Sequence, residues 1–204
     1  MSELEYEYSE QGEAQDQYFT SRDLARRIAD WAELSRGQSV LEPSAGDGGL
    51  VRAFPMNVRV TAVERDPAMC ARLREIRHPA LEVHEGDFLA WKPRRDAFDV
   101  AIMNSPYANG ADGSHAAHAL RFANRVICLV RTNFEYGKGR YNQLFRWATV
   151  TRRAILVGRP EFYGPACKGH TARHDYVVLE LMRRDRDRIE DPSSDPVETE
   201  WWTS

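Results

Sequence analysis

Apolar positions recur along the chain in two rhythms. From about residue 20 to residue 182, short β-branched runs of period two alternate with stretches of helical period, the pattern of a parallel sheet covered by helices on both faces. A first helix is predicted to start at Thr20, where Thr20-x-x-Asp23 can close a capping box and Leu24, Ile28 and Trp31 share one face, and to end at Gly37. Strands are predicted at 39–42, 58–63, 81–83, 98–103, 126–131, 154–157 and 176–181. Between them the pattern predicts helices near Gly49, at Asp66-Pro67 (Met69, Leu73 and Ile76 inward), near Ser114 and near Gly139 (Tyr141, Leu144, Phe145 and Ala148 inward). Only a Gly- and Pro-bearing loop, 159–174, separates the last two strands, so they are expected to form a hairpin. The layout is an open α/β fold of seven strands, mostly parallel, whose ligands belong at the carboxyl ends of the strands.

Composition sharpens this in three ways. The length of 204 residues with 42% hydrophobic content suits one domain with its own core. No run approaches the roughly 18 apolar residues of a membrane helix, and the opening 17 residues lack a basic-then-apolar signal pattern, so a cytoplasmic location and no membrane partner are expected. Cys70, Cys128 and Cys167 are an odd set without a Cys-x-x-Cys pair, so they are read as reduced and structural. The net charge of -3 conceals a division: residues 1–16 hold six acids and no base, and residues 185–204 hold seven acids against Arg186 and Arg188. Without these ends the remainder is basic by eight charges, most of them in 131–184, which suits a polyanionic partner. The expected organisation is an acidic arm at 1–16, a catalytic domain at 17–184 and a solvated acidic tail at 185–204.

The strand ends carry the candidate chemistry. The first predicted strand runs into Glu42-Pro43-Ser44-Ala45-Gly46-Asp47-Gly48-Gly49, a turn that lets a ligand approach the backbone. Val51 stands where a dinucleotide fingerprint wants Gly or Ala, and Glu42 and Asp47 would repel a pyrophosphate but attract a ligand bearing an ammonium and a sulfonium. At the second strand end Glu64 can accept from ribose hydroxyls; after the third, Gly86-Asp87-Phe88 offers a carboxylate and an aromatic face for a purine. The fourth ends in Asn104-Ser105-Pro106-Tyr107. There an amide oxygen and a neighbouring carbonyl can accept from a flat amino group and aim its lone pair, Pro106 stiffens the turn, and Tyr107 can stack on the base.

These residues resemble class I methyltransferases that use S-adenosylmethionine, specifically the N6-adenine DNA methyltransferases of the solitary, phage-like kind. The resemblance implies a Rossmann-like fold, with Glu42, Ser44, Gly46 and Gly48 as the first cofactor motif, Glu64 as the ribose acid, and Asp87 and Phe88 at the adenine. Tyr18, Phe19 and Thr20 look like the segment that meets the methionine end of the cofactor. Asn104 to Tyr107 resembles the family's Asn-Pro-Pro-Tyr tetrapeptide, with Ser105 in place of the first proline; Asn104 is shared between cofactor and acceptor. By the same resemblance Phe162 or Tyr163, in the loop of the terminal hairpin, would stack on a flipped base opposite Tyr107, while Arg159, Lys168 and Arg173 would hold phosphates. The implied mechanism is direct in-line transfer without a covalent enzyme intermediate.

One departure bears on specificity. Restriction-type relatives usually carry a separate target-recognition domain after the catalytic one, so short or relaxed specificity is expected here. DNA is placed ahead of RNA on the phage-like resemblance, although the basic core would bind either polymer. A catalytically silent cofactor-binding subunit is the alternative of a different class, and the oligomer is expected to be a monomer or a homodimer. Cys167-x-x-His170-x-x-x-His174 has tolerable metal spacing, but structural zinc usually shows two close pairs, so no metal site is assigned. Gly110 and Gly113 read as the flanks of a stretch that closes over the site.

Overall fold

The computed structural model describes residues 18–93, 98–167, 172, 174–184 and 197–203. In chain order the elements among them are β1 (Phe19–Thr20), α1 (Arg22–Trp31), β2 (Ser39–Pro43), β3 (Arg59–Glu64), α2 (Pro67–Arg74), β4 (Leu81–Glu85), β5 (Phe98–Met103), α3 (Ala111–Ala119), β6 (Ala123–Arg131), β7 (Ala148–Leu156), β8 (Phe162–Tyr163), β9 (Tyr176–Arg183) and β10 (Glu198–Trp202). Eight strands make one sheet in the order β10-β7-β9-β6-β5-β2-β3-β4, while β1 and β8 form a separate antiparallel pair. The strands from β4 across to β6 run parallel. As expected, the last long strands form an antiparallel hairpin, with β9 lying between β7 and β6.

Period-two alternation gives the sheet two buried faces. Val40, Val60, Val100, Ile102, Ile127 and Leu129 pack on one side with Leu24, Ile28 and Trp31 of α1 and Leu73 of α2. Their neighbours Leu41, Ala101, Met103, Val126, Cys128 and Val130 pack on the other with Ala116 and Ala119 of α3. Helices therefore cover both faces, and the α/β reading stands.

Several predicted boundaries move. Ser21, with no side-chain cap bond, precedes α1, and Ala32 ends it; Gly37, at φ 85°, serves the turn before β2 instead. The Thr20 hydroxyl, expected in a capping box, accepts from Asn104. Near Gly49 only a single 3-10 turn forms, Val51–Ala53. The helix expected near Gly139 is a three-residue turn, Lys138–Arg140, running into a π-turn at Tyr141–Phe145; Leu144 is buried, Tyr141 is exposed, and Ala148 is buried as the first residue of β7. By contrast α2 follows its signals: the Asp66 carboxylate accepts from Ala68 N at 2.8 Å, with Pro67 in the first turn. Gly113 lies inside α3, where Arg140 packs against it, rather than at the edge of a loop.

The acidic tail needs a larger correction at 198–202. There Glu198–Trp202 pairs in parallel with Arg152–Leu156 and becomes the edge strand β10, raising the sheet from the expected seven strands to eight. Trp202 is buried, its ring 6.0 Å from that of Trp31 and 4.8 Å from the Arg27 guanidinium. Glu200 accepts from Trp31 Nε1 at 2.8 Å, and both Glu198 and Glu200 pair with Arg152, at 3.5 and 3.4 Å. An acid count reads this stretch as solvated because it cannot see the arginine waiting on β7. Residues 1–16 and 185–196 lie outside the described residues.

Candidate active site

The chain steps from β2 through β3 to β4 on one side, then returns to place β5 and β6 on the other, so the strand order reverses between β2 and β5. Loops diverge at such a point and leave a crevice at the carboxyl ends. A cavity of about 530 Å³ opens there, within the range of small-molecule sites, lined by Tyr18, Phe19, Ser44, Gly46, Glu64, Asp87, Asn104 and Pro106 among others.

Glu64 organises the first wall. Its Oε2 accepts from Gly46 N at 2.7 Å, and its Oε1 accepts from Arg65 N at 2.8 Å and Asp66 N at 2.9 Å, which staples the glycine turn after β2 to the end of β3. Gly46 is required twice over: its φ is 55°, and a Cβ would lie 3.0 Å from the Phe19 ring. Glu42 lies behind this wall rather than in the cavity lining, 3% exposed, with Oε2 unpartnered among the described residues. Burial, then the charges of Asp47 and Glu64, push its pKa well above the ordinary 4.5. Gly48 also lies outside the lining, against Ile76 and Leu73.

On the second wall Asp87 accepts from Leu89 N at 2.9 Å and faces the cavity. Phe88 departs from expectation: it is 2% exposed, and its ring is packed among Trp91, His115 and His118, so it offers no open face to a purine. Phe88 still forms part of the cavity lining, beside Leu89, which is 41% exposed. His115 lines it too; burial lowers its pKa below that of an ordinary imidazole, so it is neutral at neutral pH.

The amide of Asn104 is fixed from three directions. Its Nδ2 donates to Tyr18 O at 2.9 Å and to Thr20 Oγ1 at 3.1 Å, and its Oδ1 accepts from the Tyr107 hydroxyl. Both amide hydrogens are thereby used, and Oδ1 keeps a second lone pair. Ser105 is buried, with an Oγ that has no partner among the described residues, while Pro106 lines the cavity. Tyr107 is buried against Tyr176 (5.5 Å), Tyr18 (6.4 Å) and the Arg131 guanidinium (4.9 Å). Phe162 is buried in the same group, 5.0 Å from Tyr176 and 5.9 Å from Tyr18.

The expected aromatic sandwich of Tyr107 with Phe162 or Tyr163 is therefore not assembled. Tyr107 and Phe162 share one packed cluster that backs Tyr18 and Asn104, whereas Tyr163 turns away, donating to Asp47 Oδ2 at 2.8 Å on the far side of β1. Arg159 pairs with exposed Asp175 at 3.5 Å. Lys168, Arg173 and His170 lie outside the described residues. Sequence reasoning missed Arg65, Leu89, Asn109 and His115 as cavity residues. Position was the available signal for the first two, one after Glu64 and two after Asp87; Asn109 and His115 arrive through the turn of the chain into α3.

The sequence profile of ribosomal RNA adenine dimethylases matches residues 11–153, more than half of the chain. This chain belongs to the ribosomal RNA adenine dimethylase family. An rRNA adenine N-6-methyltransferase of Streptomyces fradiae is 32% identical over 182 residues, covering 85% of this chain and 56% of the relative. A type II methyltransferase of Thermus thermophilus is 32% identical over 127 residues, covering 60% of this chain and 28% of the relative. The chain thus spans about half, or less, of the length of these relatives. In fold, this dimethylase family member is similar to a candidate RNA methyltransferase from Pyrococcus horikoshii, with a TM-score of 0.66 at 19% identity over 87% of this chain and 93% of that one. Family and fold together imply S-adenosylmethionine as the cofactor. Among the described residues no helix of this family member is long and apolar enough to cross a membrane, and no cluster of three or more His, Cys, Asp or Glu could hold a metal ion.

Proposed function

We propose that this chain transfers a methyl group from S-adenosylmethionine to the N6 amino group of an adenine in ribosomal RNA. The observation that carries the reading is the Asn104 amide, whose orientation at the cavity is dictated by Tyr18, Thr20 and Tyr107. The donor set suits the cofactor: Glu64 and Asp87 present carboxylates to hydroxyl and amino groups, and two carboxylates against the single guanidinium of Arg65 favour a cationic ligand over a pyrophosphate. When bound, S-adenosylmethionine supplies an electrophilic methyl carried on a sulfonium.

The chain's own part is to prepare the amine. An adenine amino group is a poor nucleophile because its lone pair is conjugated with the ring. Asn104 Oδ1 accepts one of its hydrogens, which helps the nitrogen rehybridise and fixes the direction of the lone pair. The proton then leaves to water, so no strong base is required. Cysteine nucleophiles do not enter: burial pushes the Cys70 thiol up to about 11 and Cys128 higher still, so neither is a thiolate at neutral pH.

RNA is placed first because the family profile and the Streptomyces fradiae relative are both named for rRNA, which reverses the order of preference drawn from the sequence. DNA is the second reading, favoured by the similarity to the type II methyltransferase. Replacing Asn104→Ala tests the chemistry. Methyl incorporation is expected to fall by at least about 10²-fold while cofactor affinity, measured by calorimetry, changes only a few-fold; turnover that survives the substitution would contradict the assignment.

A further inference from the structure

A second cleft, of about 620 Å³, lies across β1 from the cavity and is lined by Thr20, Arg22, Arg26, Gly49, Arg52 and Tyr163, together with Ala53. Its lining holds three guanidinium groups and no carboxylate. Arg22 and Arg26 are four residues apart on α1, so they project from one face of its first turns, and both are exposed. Ser21 caps that helix without a side-chain bond, so the positive end of the helix adds to the field of the arginines. Behind the lining, Asp47 holds two of the groups: it accepts from Arg52 Nη1 through its carbonyl at 2.7 Å, with its carboxylate 3.8 Å from the same nitrogen, and from the Tyr163 hydroxyl through Oδ2 at 2.8 Å, so Arg22 and Arg26 supply most of the net charge of the cleft. Tyr163, 37% exposed, leaves part of its ring open.

The cleft and the cavity share a wall. Tyr18 and Phe19 line the cavity, the next residue lines the cleft, and that residue, Thr20, accepts directly from Asn104. We propose that this cleft holds the phosphodiester backbone of the RNA strand adjoining the target adenine, with Arg22, Arg26 and Arg52 on phosphates and Tyr163 against a neighbouring sugar or base. The proposal rests on the reading of the cavity as an RNA methylation site. A second basic cleft, with Arg121, Arg183, Arg184 and the exposed Trp147, opens where β6 begins and β9 ends. That is the end of the sheet opposite Asn104, so it serves as the control surface.

The test is binding of a dye-labelled RNA hairpin with an unpaired adenine, followed by anisotropy over a salt series. The pair Arg22→Gln and Arg26→Gln is expected to weaken binding about tenfold or more near 0.1 M salt and to flatten the log–log salt slope by about one to two. Cofactor affinity should stay within about twofold of wild type. The control pair Arg121→Gln and Arg183→Gln removes the same charge at the other end of the sheet and should leave RNA affinity nearly unchanged. Unaltered binding by the first pair, or an equal loss in the control pair, would overturn the proposal. A wild-type protein that grips the hairpin through these arginines yet methylates no RNA keeps the cleft and removes the functional reading. One that methylates RNA with a KM indifferent to Arg22 and Arg26 does the reverse.

Discussion

Tyr107 and Asn104 form a unit in which a buried phenol aims an amide. The Tyr107 ring is wedged between Tyr176 and Arg131, and its hydroxyl reaches Asn104 Oδ1. Tyr107→Phe keeps the packing and removes the donor. The expected result is a kcat lower by about tenfold, equivalent to about 1.4 kcal/mol, with KM for RNA little changed; a selective rise in KM would return Tyr107 to a base-stacking role. Glu42 gives a pH-dependent prediction. A carboxyl whose folded pKa is raised contributes its full stability below the unfolded value near 4.5 and loses it as pH climbs through the folded value. In cofactor-free protein Glu42→Gln should therefore gain Tm relative to wild type as pH rises from about 5 to about 8. A constant difference across that range would mean that the carboxyl is not held up by burial. The chemistry of these side chains was legible in the sequence, but their exposure was not. Phe88, Tyr107 and Phe162 have the right ring types for stacking, and the structure turns all three into the core.

At the level of elements, β5 was readable to its end residues because the apolar run 100–103, led in by Phe98 and Asp99, has one sensible partner environment, a buried parallel strand. Alternation likewise located β2, β3 and β6, and with them the strand ends that bear Glu64 and Asn104. What periodicity could not supply was β1. Two residues paired with Phe162 and Tyr163 carry no period, yet Thr20 and Tyr18, the residue just before the strand, provide the acceptors that orient the Asn104 amide. Gly49 holds this strand in place, since a Cβ there would come within 2.7 Å of the Thr20 carbonyl oxygen. Gly49→Ala is accordingly expected to displace β1, costing about 1–3 kcal/mol of stability and lowering methyl transfer as well. Urea unfolding and turnover assays read the two effects separately, and wild-type values in both would remove β1 from the account. Edge strand β10 was missed for a different reason: acids predict solvation only when no basic neighbour is waiting, and Arg152 is that neighbour.

At the scale of the molecule, charge and topology point the same way. The sheet brings a cavity bearing Glu64 and Asp87 and an arginine-lined cleft to opposite sides of one short strand, so the proposed function gives a small cationic cofactor and a polyanionic strand separate approaches to Asn104. Overall class was legible because alternating strand and helix patterns admit few layouts, whereas the choice of polymer was not, since a splayed adenine presents the same amino group from either. The most direct measurement is incubation of the protein with methyl-labelled S-adenosylmethionine and, in parallel, deproteinised ribosomal RNA and duplex DNA of matched adenine content, followed by mass spectrometry of the nucleosides. Label in N6-methylated adenosine from the RNA, at a rate well above that for the DNA, is the predicted result; label confined to the DNA, or found on any atom other than adenine N6, would contradict it.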